Sequence, residues 1–264
     1  MKLFVVSDIH SFYTPLIKAL EAAGYDKNNN EHWLIVCGDC FDRGPESVEI
    51  LHFLMSLDRK ILIKGNHDLL FNDLCSRGFP YSHDKSNGTV RTVKDLGGSQ
   101  LPSEFMNSCQ VAWNKTAAYR DLLVNYFETE NYIFVHSWIP TITHYDKGAS
   151  KPWHQVGKYY EYNEDWRNAS ETEWEEAMWG NPFWKAQDGM NKTGKTIVFG
   201  HWHCSLGHLC DSQGELSEFG DDAKWDPYYN KDQGIIGIDR CTAHTGEVNV
   251  IVLEDNFLES EVVK

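Results

Sequence analysis

Short apolar runs recur along the chain, and each stops at a cluster of polar side chains. Leu3 to Ser7 has the pattern of a buried strand and ends where Asp8 and His10 begin. Trp33 to Cys37 repeats the pattern and runs into "GDCFDRG". "KILIKGNHD" (60–68), "YIFVHSW" (132–138) and "KTIVFGHWH" (195–203) give a third, fourth and fifth strand, each with a polar end. Between them lie helical patterns. "YTPLIKALEAA" (13–23) has Thr14-Pro15 as cap and first turn and Gly24 as its stop, and "PESVEILHFLMSL" (45–57) opens on Pro45 and an acidic turn. "QGIIGIDRCTAHTGEVNVIVLED" (233–255) predicts two strands around a turn at Thr245-Gly246. Strands alternating with helices predict an α/β fold built from βαβ units around a parallel sheet, with ligands at the carboxyl ends of the strands.

No internal repeat or long linker divides the chain, so 1–264 is expected to be one domain. Residues 71–130 are mainly helical in pattern, with breaks at "HDKSNGT" and "GGSQ", and could form a cap inserted over the strand ends. Residues 144–193, rich in Trp, Tyr and Glu, and the acidic, aromatic residues 211–232 are either surface elaboration or walls that choose a substrate.

Composition narrows the function. The 264 residues are 41% hydrophobic and 13% aromatic, ample for a core. The formal net charge of −15 argues against a nucleic-acid-binding surface but not against a small anionic substrate, because local metals and arginines can outweigh a distant acidic surface. The N-terminal apolar run is too short for a secretory signal, and no stretch approaches the ~20 apolar residues of a membrane span. The seven scattered cysteines fit a reduced, cytoplasmic chain. Cys37 and Cys40 form a CxxC with no second pair, better read as two thiols flanking another motif than as a zinc site.

The strand ends together carry the chemistry: Asp8 and His10, Asp39 and Asp42, Asn66 and His67, His136, then His201 and His203. A lone strand-end His is more often structural than a ligand, but five such ends in one chain are not. Imidazoles, carboxylates and one amide, without thiolates, suit two adjacent cations such as Mn²⁺, Fe or Zn²⁺. A carboxylate such as Asp39 can bridge two such ions.

"SDIH", "GDCFDRG", "GNHD", "FVHS" and "FGHWH", in that order, resemble the calcineurin-like metallophosphoesterase superfamily. The "DRG" of the second block is similar to its phosphoprotein phosphatase branch, which includes phage-type serine/threonine phosphatases and bacterial diadenosine tetraphosphatases. "IGIDRCTAHTGEVNVI" also resembles the closing strands of those smaller enzymes. The resemblance implies a four-layer β-sandwich flanked by helices, with a dimetal site at the strand ends. It implies Asp8, His10 and Asp39 as ligands of one ion and Asp39, Asn66, His136 and His201 as ligands of the other. His203 would join the first ion, as in the wider superfamily. His67 would be the general acid, oriented by Asp42, and Arg43 would grip two phosphate oxygens in a fork.

Two departures stand out. Asp68 follows the Asn-His pair where the branch has Glu, and no arginine lies in or beside "MWGNP" (178–182) to supply a second phosphate contact. Arg167, Arg120 and Arg240 are the candidates, Arg167 foremost, against the alternative that each is a salt-bridged structural residue. The resemblance therefore predicts a phosphatase that hydrolyses phosphoserine or phosphothreonine with metal-activated water. The alternatives are a dinucleoside polyphosphate hydrolase, whose adenines the aromatic segments could stack, and a non-catalytic metal-bound scaffold.

Overall fold

The computed structural model describes residues 1–257 except 100, 102, 146–157, 213 and 214. Its first part runs β1 (Lys2–Val6), α1 (Tyr13–Ala22), β2 (His32–Cys37), α2 (Ser47–Ser56), β3 (Lys60–Ile63), α3 (Asn66–Arg77), α4 (Ser82–Ser86), α5 (Thr89–Gly97), α6 (Phe105–Lys115) and α7 (Ala117–Arg120). There follow β4 (Leu123–Val124), β5 (Tyr126–Glu128), β6 (Tyr132–Val135), β7 (Thr141–Tyr145), β8 (Lys158–Tyr162), α8 (Glu171–Ala177), α9 (Pro182–Gln187) and β9 (Thr196–Phe199). The chain closes with α10 (Cys204–Asp211), β10 (Tyr228–Asn230), β11 (Ile235–Gly237), α11 (Thr242–Thr245) and β12 (Ile251–Glu254).

The expected strands divide between two sheets. The first has the order β12-β1-β2-β3-β4, parallel except for β12 against β1. The second has the order β10-β11-β9-β6-β5, with a parallel centre and antiparallel edges. A strand buried on both faces looks the same in either sheet, so apolar pattern alone could not separate them. Residues 233–255 are not a hairpin: β11 lies in the second sheet and β12 in the first, with α11 and the left-handed Gly246 between them. β7 and β8 form a separate antiparallel ribbon.

Leu3, Val5, Ile35 and Ile63 of the first sheet pack against Phe134, Val198 and Ile236 of the second, which makes the middle of a sandwich. Alternate residues Phe4, Val6, Leu34 and Val36 face outward onto Leu16, Leu20, Ile50 and Leu54 of α1 and α2. On the far side, Ile133, Val135, Ile197 and Phe199 meet Trp166, Trp174, Phe183 and Leu206. The order helix, sheet, sheet, helix gives the four layers.

The helices of 71–130 join the outer layer of the first sheet, with Val93, Leu96, Phe105 and Cys109 in its core. Among their described residues none lines the cleft at the strand ends. The tryptophans of 144–193 also divide. Trp166 and Trp174 are core, whereas Trp179 and Trp184 are exposed. Among the described residues no helix is long and apolar enough to cross a membrane.

Candidate dimetal active site

The chain turns sharply as it leaves the sheets. Asp8, His10, Asp39, Asp42, Arg43 and His201 all hold left-handed backbone, with φ between 49° and 74°. Such conformations cost side-chain-bearing residues about 1–3 kcal/mol each and gather where the surrounding structure enforces them. Two glycines make the turns possible. Gly38 has φ +85°, and a Cβ there would stand 2.3 Å from His136 Nδ1; at Gly44 it would stand 2.3 Å from the His10 carbonyl oxygen.

These turns gather the expected ligands around Asp39. His10 Nδ1 donates to the Phe41 carbonyl at 2.9 Å, which turns Nε2 inward, 3.8 Å from Asp39 Oδ2 and 4.0 Å from Asp8 Oδ1. His136 Nδ1 likewise donates to the Cys37 carbonyl at 2.9 Å, and its Nε2 lies 3.6 Å from Asp39 Oδ1. The His201 ring stands 4.9 Å from that of His136. The Asp8 Oδ2 atom is held by Ser7 Oγ and by the His201 amide at 2.9 Å, leaving Oδ1 toward the cleft. Two groups could each hold an ion: His10, Asp39 and His67, and Asp39, His136 and His201. Asp39 is common to both.

The donor chemistry fits cations. A carbonyl can only accept, so His136 Nδ1 carries a proton, and its Nε2 lies 2.7 Å from Asn66 Oδ1. With the Nδ1 atoms of His10 and His136 turned to carbonyls, their Nε2 atoms converge on the Asp39 carboxylate as a donor set that suits cations. Burial holds His10 well below its usual pKa, and burial with His136 nearby takes His201 down to about 3, so both rings are neutral ligands at pH 7. Burial would raise Asp39, but His136, His67, His10 and His201 outweigh it and hold it well below the carboxylate range. Asp8 is instead pushed up to about 7 by burial and then by Asp39.

A second arrangement adjoins the first. His67 opens α3, and its Nδ1 donates to Asp42 Oδ2 at 2.7 Å. Asp42 is fully buried and also accepts from the hydroxyls of Thr89 and Thr92 at 2.7 Å each. Burial would lower His67, but Asp39 and the bonded Asp42 raise it above its ordinary value. Arg43 Nη2 lies 3.4 Å from His67 Nε2, so imidazole and guanidinium face one point of the cleft. Asp68 accepts from the Gly65 amide at 2.9 Å and the Tyr119 hydroxyl at 3.0 Å, which pins the start of α3.

The arginines proposed as a second phosphate contact lie elsewhere. Arg167 makes a two-pronged pair with Glu128, at 2.8 and 2.7 Å, and stacks on Trp166. Arg120 lies on the Trp113 ring, and Arg240 pairs with Glu247 and Asn249. His203 reaches the cleft wall, but its Nε2 is bonded to Glu218 at 2.7 Å, and it belongs to neither ligand group.

The cleft has a volume of about 320 Å³ and also exposes residues that the motifs do not reveal: Trp202, Phe219, Asp239 and Cys241. Asp239 follows β11, so the strand-end pattern could have found it; burial, then Asp8, raises it to about 8. Thr89 and Thr92 left no such signal, because their role depends on α5 packing beside the β2 loop.

Known proteins share this frame. A symmetrical bis(5'-nucleosyl)-tetraphosphatase of Thioalkalivibrio sulfidiphilus is 41% identical over 70 residues, 26% of this chain and 25% of that protein. Its namesake in Coxiella burnetii is 35% identical over 137 residues, 52% of this chain and 42% of that one. The matched segments thus span between a quarter and a half of such relatives. A variant of a cold-active protein tyrosine phosphatase superposes with a TM-score of 0.51 at 14% identity, over 96% of this chain and 75% of that one, a likeness of fold alone. The calcineurin-like phosphoesterase family profile matches residues 1–205, and the chain belongs to that family.

Proposed function

We propose that this chain is a metal-dependent hydrolase that cleaves a phosphoanhydride bond of a dinucleoside polyphosphate. The observation that carries this reading is the make-up of one cleft, which brings together an Asp and His cluster suited to cations, His67 with Arg43, and the aromatic rings of Trp202 and Phe219. The curated relatives, named as tetraphosphatases, support it over the phosphoserine and phosphothreonine reading that the motifs alone put first. The intact Asp8, His10, Asp39, Asn66, His136 and His201 set argues against a scaffold without catalysis.

In this reading Asp8, His10 and Asp39 hold one ion and Asp39, Asn66, His136 and His201 the other, with Mn²⁺ suited to the mixed oxygen and imidazole donors and Fe or Zn²⁺ as alternatives. When bound, the pair would lower the pKa of water and neutralise phosphoryl charge. Arg43 grips two non-bridging oxygens of the phosphoryl group and orients it. As the P–O bond to the departing group breaks, His67 gives that oxygen the proton on Nε2. Asp42 holds the Nδ1 side of the same ring and favours its protonated form. Thr89 and Thr92 fix Asp42 by both oxygens, so the acid keeps its aim.

The test is turnover of metal-stripped protein resupplied with Mn²⁺, on diadenosine tetraphosphate and on a phosphoserine peptide. The expected result is a higher kcat/KM for the dinucleotide. A preference for the peptide would return the chain to the phosphomonoesterases.

A further inference from the structure

Phe219 is 51% exposed, yet its ring forms part of the cleft wall. It is not a loose side chain. Its ring centroid lies 4.8 Å from His203 and 5.8 Å from Trp225, and His203 is itself fixed by the 2.7 Å bond from its Nε2 to Glu218. Trp202 continues the wall beside His203, with the two rings 6.3 Å apart and 29° from parallel. A monomer that leaves a braced aromatic face open inside a polar cleft has provided a stacking surface.

Charge says which part of a ligand goes there. Among the described residues that line the cleft Arg43 is the only Arg or Lys, and it stands beside His67. The aromatic wall is flanked instead by carboxylates. Glu218 bonds His203 through Oε1, and Asp239, 5% exposed, accepts the Cys241 amide at Oδ1 while Oδ2 has no donor among the described residues. A phosphate finds no Arg or Lys at this end among the described residues, whereas a ribose hydroxyl or a base amino group can donate to the oxygens of Glu218 or Asp239.

We infer that the wall formed by Trp202, His203 and Phe219 is a nucleoside subsite, on which a base stacks while the phosphate chain runs toward Arg43. This rests on the proposed action on dinucleoside polyphosphates and deepens it by naming the residues that select the nucleoside. His203 then serves substrate recognition in place of the metal ligation expected from its motif.

The test compares Phe219→Ala with Phe219→Tyr. The first readout is the ratio of the KM for diadenosine tetraphosphate to that for p-nitrophenyl phosphate, which has no nucleoside. Stacking of one base is worth enough to raise that ratio by about tenfold or more in Phe219→Ala, and Phe219→Tyr should restore it. The second readout is equilibrium binding of adenosine 5'-monophosphate to the metal-loaded protein, which Phe219→Ala should weaken by a similar factor. A ratio within about twofold of the wild type, or AMP binding indifferent to Phe219, would overturn the subsite while leaving dinucleotide hydrolysis standing. If the wild type fails to hydrolyse diadenosine tetraphosphate but binds AMP through Phe219, the proposed reaction falls and the subsite survives.

Discussion

The two sheets feed the same cleft with different goods. The first sends three short loops, after β1, β2 and β3, that carry Asp8, His10, Asp39, Asp42, Arg43, Asn66 and His67, most of them in left-handed backbone and wedged against glycines. The second contributes His136 and His201 to the cluster, and then an open wall of Trp202, His203 and Phe219. In the proposed reading the reacting groups sit where the backbone is most tightly determined, and Phe219, on the longer segment after α10, belongs to the surface that would meet the nucleoside. Tight loops hold geometry for catalysis, while looser ones can change without disturbing it.

If the first sheet supplies the chemistry, removing its acid should have the largest effect. His67→Asn should lower kcat on a phosphoserine peptide by roughly 10²–10⁴-fold. Its effect on diadenosine tetraphosphate should be smaller, because a departing phosphate oxygen is less basic than an alkoxide and needs the proton less. Equal losses on the two, measured under single-turnover conditions, would remove His67 from the general-acid role. At the other end of the scale stands Arg167, on the outside of the second sheet. Its side chain is 42% exposed and paired to Glu128, so Arg167→Ala should cost about 0–1 kcal/mol in a denaturant titration. It should change kcat/KM by less than about twofold, and a tenfold loss would mean that this arginine reaches substrate after all.

The same division explains what the sequence could reveal. The proposed ligands on the first sheet lie within a few residues of strands whose apolar runs are plain, so Asp8, His10, Asp39 and Asn66 could be picked from the linear pattern. His136 and His201 could be picked in the same way, from β6 and β9. Which sheet each strand joins could not, since Val5 and Val198 meet across the sandwich although nothing local distinguishes them. The residues 233–255 show the limit most clearly: two strands around a turn were expected, and the strands are there, but β11 takes its parallel partner from β9 while β12 joins β1. The surroundings of Arg167 and His203 were hidden from spacing for a related reason. Each has a local carboxylate partner, Glu128 or Glu218, that only the folded chain brings within reach. Thr89 and Thr92 act on Asp42 from about fifty positions away, a distance at which spacing carries no signal.

The account turns on Asp39 as the carboxylate shared by two cation sites, and a calorimetric Mn²⁺ titration of the metal-free protein tests it most directly. Wild type should take up two ions, with tighter binding at pH 8 than at pH 6. Asp8 in the metal-free fold is pushed up to about 7 from an ordinary 3.8, so its protonated form stabilises that fold at acid pH, and this contribution is lost as pH rises through 7. An incoming ion must displace that proton, which should weaken binding by roughly tenfold at pH 6. Asp39→Asn should lose high-affinity binding at both sites together. Two ions bound by Asp39→Asn with wild-type affinity would contradict the shared-ligand site.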